Sequence, residues 1–124
     1  MPFVVGEVSV TNSVEVTSGK VIKTAVINCS TAGDNEIVAA VLGARLKVSA
    51  FVIQALGNVA VKWKDGTATD LTGAFSFRAR EGLTVAVPAA TFALGTSPGN
   101  SLVLHLSGNI GVVGFVTYWD DDAV

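Results

Sequence analysis

His105 is the only histidine in the chain and Cys29 the only cysteine. Nucleophilic catalysis needs an activated hydroxyl or thiol beside a base, normally histidine. His105 stands between Leu104 and Leu106 in an alternating run. At strand spacing its ring points away from the leucines, toward solvent or a subunit contact, and a surface or interface role is preferred to a catalytic one. Cys29 follows Ile27 at the same spacing and reads as a small, inert, buried hydrophobe. A cupin-type metal site draws on several histidines and carboxylates, which one histidine does not supply. Asp120, Asp121 and Asp122 form a charge run, and calcium sites need ligands spaced through a rigid loop. The run therefore reads as a solvated tail. The glycines are turn residues, with no phosphate-cradling loop ahead of a helix. Trp63, between Val61 and Asp65, reads as core; Trp119, beside the acidic run, is a candidate interface residue. The expectation is no enzyme activity, no cofactor, no metal and no small-molecule substrate.

The elements that would position these residues are strands. Val8, Val10, Val14 and Val16 alternate with polar residues in the stretch 3–17, which reads either as an extended arm or as the first strand. A strand is expected over Lys20–Ser30, a turn over Thr31–Asn35 and a short apolar strand over Glu36–Val41, ended by Gly43. Arg45–Leu56 is the longest strand, with Leu46, Val48, Ala50, Val52 and Leu56 on one apolar face broken by Gln54. Gly57-Asn58 then has the two-residue spacing of a tight hairpin, with glycine supplying positive φ. Val59, Val61 and Trp63 share one face of the next strand, and Lys62 and Lys64 the other. Ala74–Arg80 alternates Phe75, Phe77 and Ala79 against Ser76, Arg78 and Arg80. Leu83–Val87, Thr91–Leu94, Leu102–Leu106 and Gly111–Trp119 complete the series. About eight strands at turn spacings of about 8–12 residues make an all-β chain, a single antiparallel β-sandwich or barrel.

The bulk composition bounds function. The 124 residues suffice for one domain, half are hydrophobic, and 15% are charged, against about 25% in an ordinary soluble domain. Mean hydropathy is +0.57. The runs 37–42 and 110–116 are apolar on both faces. An antiparallel sandwich strand needs one apolar face only, so a neighbouring subunit is expected over the other. The net charge of −2 and the absence of any Lys/Arg cluster beyond Lys62 and Lys64 argue against nucleic acid as a partner. No apolar run reaches the roughly 20 residues of a membrane helix, so no membrane partner is expected. The start has no basic region of a secretory signal, Asn28-Cys29-Ser30 reads as a chance sequon, and a single cysteine fits synthesis in a reducing cytoplasm.

The segment Ser30-Thr31-Ala32-Gly33-Asp34-Asn35, the apolar Glu36–Val41 after it, Val59-Ala60-Val61-Lys62-Trp63-Lys64, Asp70-Leu71-Thr72-Gly73-Ala74 and the closing Gly114–Tyr118 strand resemble, in order and spacing, a family of small virion proteins of tailed phages. The resemblance covers about residues 20–119. It implies a jelly-roll domain over 18–124, a homotrimer, and a place on the capsid exterior as a decoration (cement) protein. There it would bridge subunits of the major capsid protein after synthesis in the host cytoplasm. The stretch 1–17 matches least and is the part expected to be adapted to the particle. Val8, Val10, Val14, His105 and Trp119 are the candidate oligomer or capsid contacts. The alternative is a fibre or head-surface receptor module that grips glycans. Its loops 66–73 and 95–100 would be the gripping surface, yet they carry no aromatic residue.

Overall fold

A computed structural model of the chain describes residues 16–17, 20–88 and 91–122. The alternating runs become strands: β1 (Val16–Thr17), β2 (Lys20–Val21), β3 (Lys23–Cys29), β4 (Gly33–Val38), β5 (Ala44–Ala55), β6 (Val59–Asp65), β7 (Thr69–Asp70), β8 (Phe75–Phe77), β9 (Gly82–Ala86), β10 (Leu94–Gly95), β11 (Leu102–Leu106) and β12 (Val112–Asp122). Every pairing is antiparallel. One sheet runs β9-β5-β12-β3, with β10 also on β5. The second runs β4-β11-β6-β7, with β8 also on β6, and β1 and β2 form a small ribbon. The two large sheets pack face to face as a β-sandwich.

The inner half of each alternation builds the core. Ile27, Leu46, Val48, Phe51, Ile53 and Val116 from the first sheet meet Val61, Trp63, Leu102, Leu104 and Leu106 from the second. Each such side chain contributes roughly 1.5–3 kcal/mol by leaving water. Phe51 sets its ring edge-on to Trp63, centroids 5.3 Å apart. The Trp63 indole N–H has no acceptor among the described residues. Trp63 is thus core, as expected, and Lys62 and Lys64 point the other way.

Several expected elements differ. The apolar face of β5 changes phase. Leu46 and Val48 are buried, but so are Phe51, Ile53 and Ala55, while Ala50, Val52 and Gln54 point outward. The cause is a bulge: β12 pairs Thr117 with Ala50 but Tyr118 with Val48, leaving Ser49 unpaired. Gly57-Asn58 is not a hairpin turn. Both sides of β5 are already taken, by β9 and by β12, so the chain crosses to the other sheet. Gly57 has no positive φ there. The turn expected at 31–35 is cut short and the strand after it starts earlier, because Gly33–Asn35 already pair with β11. The apolar strand stops at Val38, and Ala39 to Gly43 form an exposed connection with Leu42 99% exposed. The strand around Phe77 shrinks to three residues, ended by a turn with Arg80 at φ 71°. Finally, the acidic run is not a free tail. Asp120 and Asp121 continue β12, held by Lys23 at 2.6 Å and Lys47 at 3.1 Å.

Candidate interaction surfaces

The outward half of each alternation leaves two walls. On the first sheet, register defines rows that cross four strands. The middle row is Val26, Phe115, Val52 and Thr84. One flanking row is Asn28, Val113, Gln54 and Gly82; the other is Thr24, Thr117, Ala50 and Ala86. None of these twelve positions is ionisable. Val26 is 75% exposed and Phe115 42%. Gly114 holds Phe115 in place on this wall. Its φ is +150°, and a Cβ there would stand 1.8 Å from the Val52 carbonyl oxygen. Only glycine lets β12 approach β5 so closely.

Past the bulge, Trp119 pairs in register with Lys47 on the same outward side. It is nevertheless buried, because Phe92 lies edge-on to it with centroids 6.3 Å apart. The Lys47 ammonium sits 4.8 Å from the Phe92 ring centre, within cation–π range. The surface that reaches solvent at this point is Phe92, not Trp119.

The wall of the second sheet is charged. Asp34 accepts hydrogen bonds from the His105 ring at 2.7 Å and from Lys64 at 3.3 Å. The His105 hydrogen bond, the largest effect, together with the hydrogen bond and charge of Lys64, holds the Asp34 carboxyl below its ordinary range against the opposing effect of burial. Lys62 pairs with Asp70 at 3.1 Å, and Glu36 and Lys64 flank Val103 in register. Val103 is buried although it faces outward, opposite a Lys64 side chain only 12% exposed.

At the end of this sheet Asp65 is 6% exposed. Burial pushes its carboxyl up, but the hydrogen bonds that Ser97 and Asn100 donate more than offset this and leave it lowered. Those bonds run from Ser97 N and Oγ at 3.0 and 2.7 Å and from Asn100 Nδ2 at 3.0 Å. They pin the 96–100 loop across the end of the sandwich. Cys29 is half-buried, and burial pushes its thiol up, which favours the unreactive form.

Of the candidate contacts read from sequence, Val8, Val10 and Val14 lie outside the described residues. His105 and Trp119 fall on opposite walls, so the fold does not bring them together. The sequence reading missed Val26 and Val52 as surface residues. Phe115 was signalled, because the 110–116 run is apolar on both faces. Val26 stands alone between Thr24 and Asn28, and only register joins it to Phe115. Among the described residues no group of three or more His, Cys, Asp or Glu could hold a metal ion. Comparison of the chain with protein-family models and with curated proteins returned no match.

Proposed function

We propose that the chain is a structural virion protein, a capsid decoration protein that trimerises and bridges major capsid protein subunits on the head exterior. The observation that carries this reading is the neutral outward wall around Val26 and Phe115. A wall of that kind calls for protein cover rather than water, and it asks for no chemistry.

The strand winding supports the same reading. If the eight segments of three or more residues among the described residues (β3, β4, β5, β6, β8, β9, β11 and β12) are numbered one to eight, the sheets read 1-8-3-6 and 2-7-4-5. That order matches the one expected for the double Greek key of a jelly roll, an architecture frequent in viral particles, and so supports the jelly-roll reading. Fold alone assigns no function; the resemblance over residues 20–119 supplies the partner. A rigid trimer offers three attachment points, and multivalency turns weak individual contacts into firm attachment, so neighbouring capsid subunits would be tied against outward pressure from packaged DNA.

Quantitative mass spectrometry of purified virions tests this. A copy number on the scale of the major capsid protein is expected. A few copies per particle would instead support the fibre or head-surface glycan-binding module, and absence from the virion would overturn both.

A further inference from the structure

We infer that the neutral wall of the first sheet is the seam of the oligomer, with three copies turning this face toward a common three-fold axis. The inference rests on the trimeric reading above and names the surface and the occupant.

Charge is the first ground. The chain carries a net charge of −2, and its second wall crowds Asp34, Glu36, Lys62, Lys64 and Asp70 together. Setting copies of that wall against one another would strip water from charged groups, four of which already pair within the chain as Asp34 with Lys64 and Lys62 with Asp70. The twelve positions of the neutral wall bring together Val26, Phe115 and Val52 from each copy with no ionisable group among them, and Lys47 and Asp121, on the same outward side past the bulge, pair with each other at 3.1 Å. A second copy is therefore the occupant whose chemistry matches, whereas a charged partner gains nothing there.

Width is the second ground. Four strands spaced about 4.8 Å apart make a wall about 19 Å wide. Three such walls closed into a triangular prism put the axis about 5.5 Å from each, close to half of the ~10 Å that separates packed sheets. The side chains of one layer fill that depth, so a ring of three closes on this wall without a central channel. In that arrangement the β3 edge of one copy meets the β9 edge of the next at each corner. Val26 of one copy then faces Thr84 of its neighbour. Within one copy these two residues are separated by the full width of β12 and β5.

Cross-linking reads this geometry directly. Cys29→Ser removes the native thiol, and Val26→Cys with Thr84→Cys places one new thiol on each edge. Treatment with a short bismaleimide should give a covalent trimer on denaturing gels, while either single cysteine variant stays at the 12.7 kDa of the monomer. In parallel, Val26→Glu with Phe115→Glu should reduce the native mass about threefold with an unchanged β-sheet circular dichroism spectrum. Native mass spectrometry of the unaltered chain separates the two levels of the inference. A monomeric parent overturns the trimer and the seam together. A trimeric parent whose paired-cysteine variant gives no covalent trimer, or whose double glutamate variant stays trimeric, overturns the seam alone.

Discussion

The two outward walls are carried by one core but are finished differently. On the second sheet Asp34, His105, Lys64, Lys62 and Asp70 satisfy one another at 2.7–3.3 Å. That wall is complete as a solvent surface. On the first sheet the corresponding positions hold Val26, Phe115, Val52 and a fringe of Thr, Ala, Asn and Gln, and Val26 is left 75% exposed. Strand alternation explains how both can exist. The inward residues, such as Val116 on β12 and Trp63 on β6, drive folding, so the outward residues are free to serve either water or a partner. Wall chemistry is therefore informative about contacts in a way that core chemistry is not.

The largest effect is expected where the neutral wall rests on the backbone. Gly114→Ala forces a Cβ against the Val52 carbonyl at a φ that side chains rarely adopt. The β12–β5 ladder has to open, and the loss should be roughly 3–5 kcal/mol, the upper range for one substitution. A urea midpoint within experimental scatter of the parent would mean that β12 and β5 do not approach as closely as described.

Asp65→Ala comes next. It leaves the Ser97 amide and hydroxyl and the Asn100 amide without their acceptor at a buried site, and charged hydrogen bonds of this kind are worth roughly 2–3 kcal/mol in total loss. The sign of the pH dependence follows from the lowered carboxyl. The folded form binds its proton more weakly than the unfolded chain. The stabilisation is therefore present above the ordinary carboxylate value and is lost as pH falls through the lower folded value. Thermal melts between pH 7 and pH 2 should show a shallower acid decline for Asp65→Ala than for the parent. Parallel curves would show that the carboxylate is not what holds the 96–100 loop.

Where alternation is strict, the sequence alone was sufficient. Trp63 inward with Lys62 and Lys64 outward, and Leu102, Leu104 and Leu106 inward with His105 outward, follow from a period of two. The phase of β5 did not, because a bulge at Ser49 depends on what β12 presents opposite and leaves no mark in residue type. The Gly57-Asn58 link had hairpin spacing, but competition from β9 and β12 for both edges of β5 decided its path. Asp120 and Asp121 looked solvated because their partners, Lys23 and Lys47, lie about a hundred and about seventy positions away. The candidate surface was half legible for the same reason: Phe115 betrayed itself locally, while Val26 and Val52 join it only through register.

A smaller pair of effects contrasts the edge of the core with the neutral wall. Phe77, half-buried at the edge of the core beside Phe75, should lose roughly 1–2 kcal/mol on change to Ala, below the roughly 3–5 kcal/mol of a fully buried phenylalanine. Phe115→Ser should lose about 0.5 kcal/mol or less, as surface changes do. Denaturant midpoints should be compared at dilutions where they no longer depend on protein concentration, since association would otherwise add its own stabilisation. Equal losses would mean that Phe115 serves the core rather than a partner.

The smallest effect belongs to the charged wall. Asp34 is held below its ordinary value of 3.8 by the His105 hydrogen bond and by Lys64, but solvent reaches the site and screens it. Asp34→Asn should therefore cost about 0.5–1 kcal/mol at neutral pH. Because the folded carboxyl is lowered, that contribution persists above the ordinary value and disappears as pH drops through the folded one. The parent and the variant should thus converge in stability once pH has fallen below the lowered folded value. Added salt should narrow the gap between them at pH 7, since exposed pairs are screened over about 10 Å at 0.1 M. The neutral wall supplies the control: Val26→Ser carries no charge in either form, so its difference from the parent should not follow this salt and acid dependence. If Val26→Ser and Asp34→Asn respond alike to salt and acid, the division of the sandwich into a self-satisfied charged wall and an uncharged contact wall does not hold.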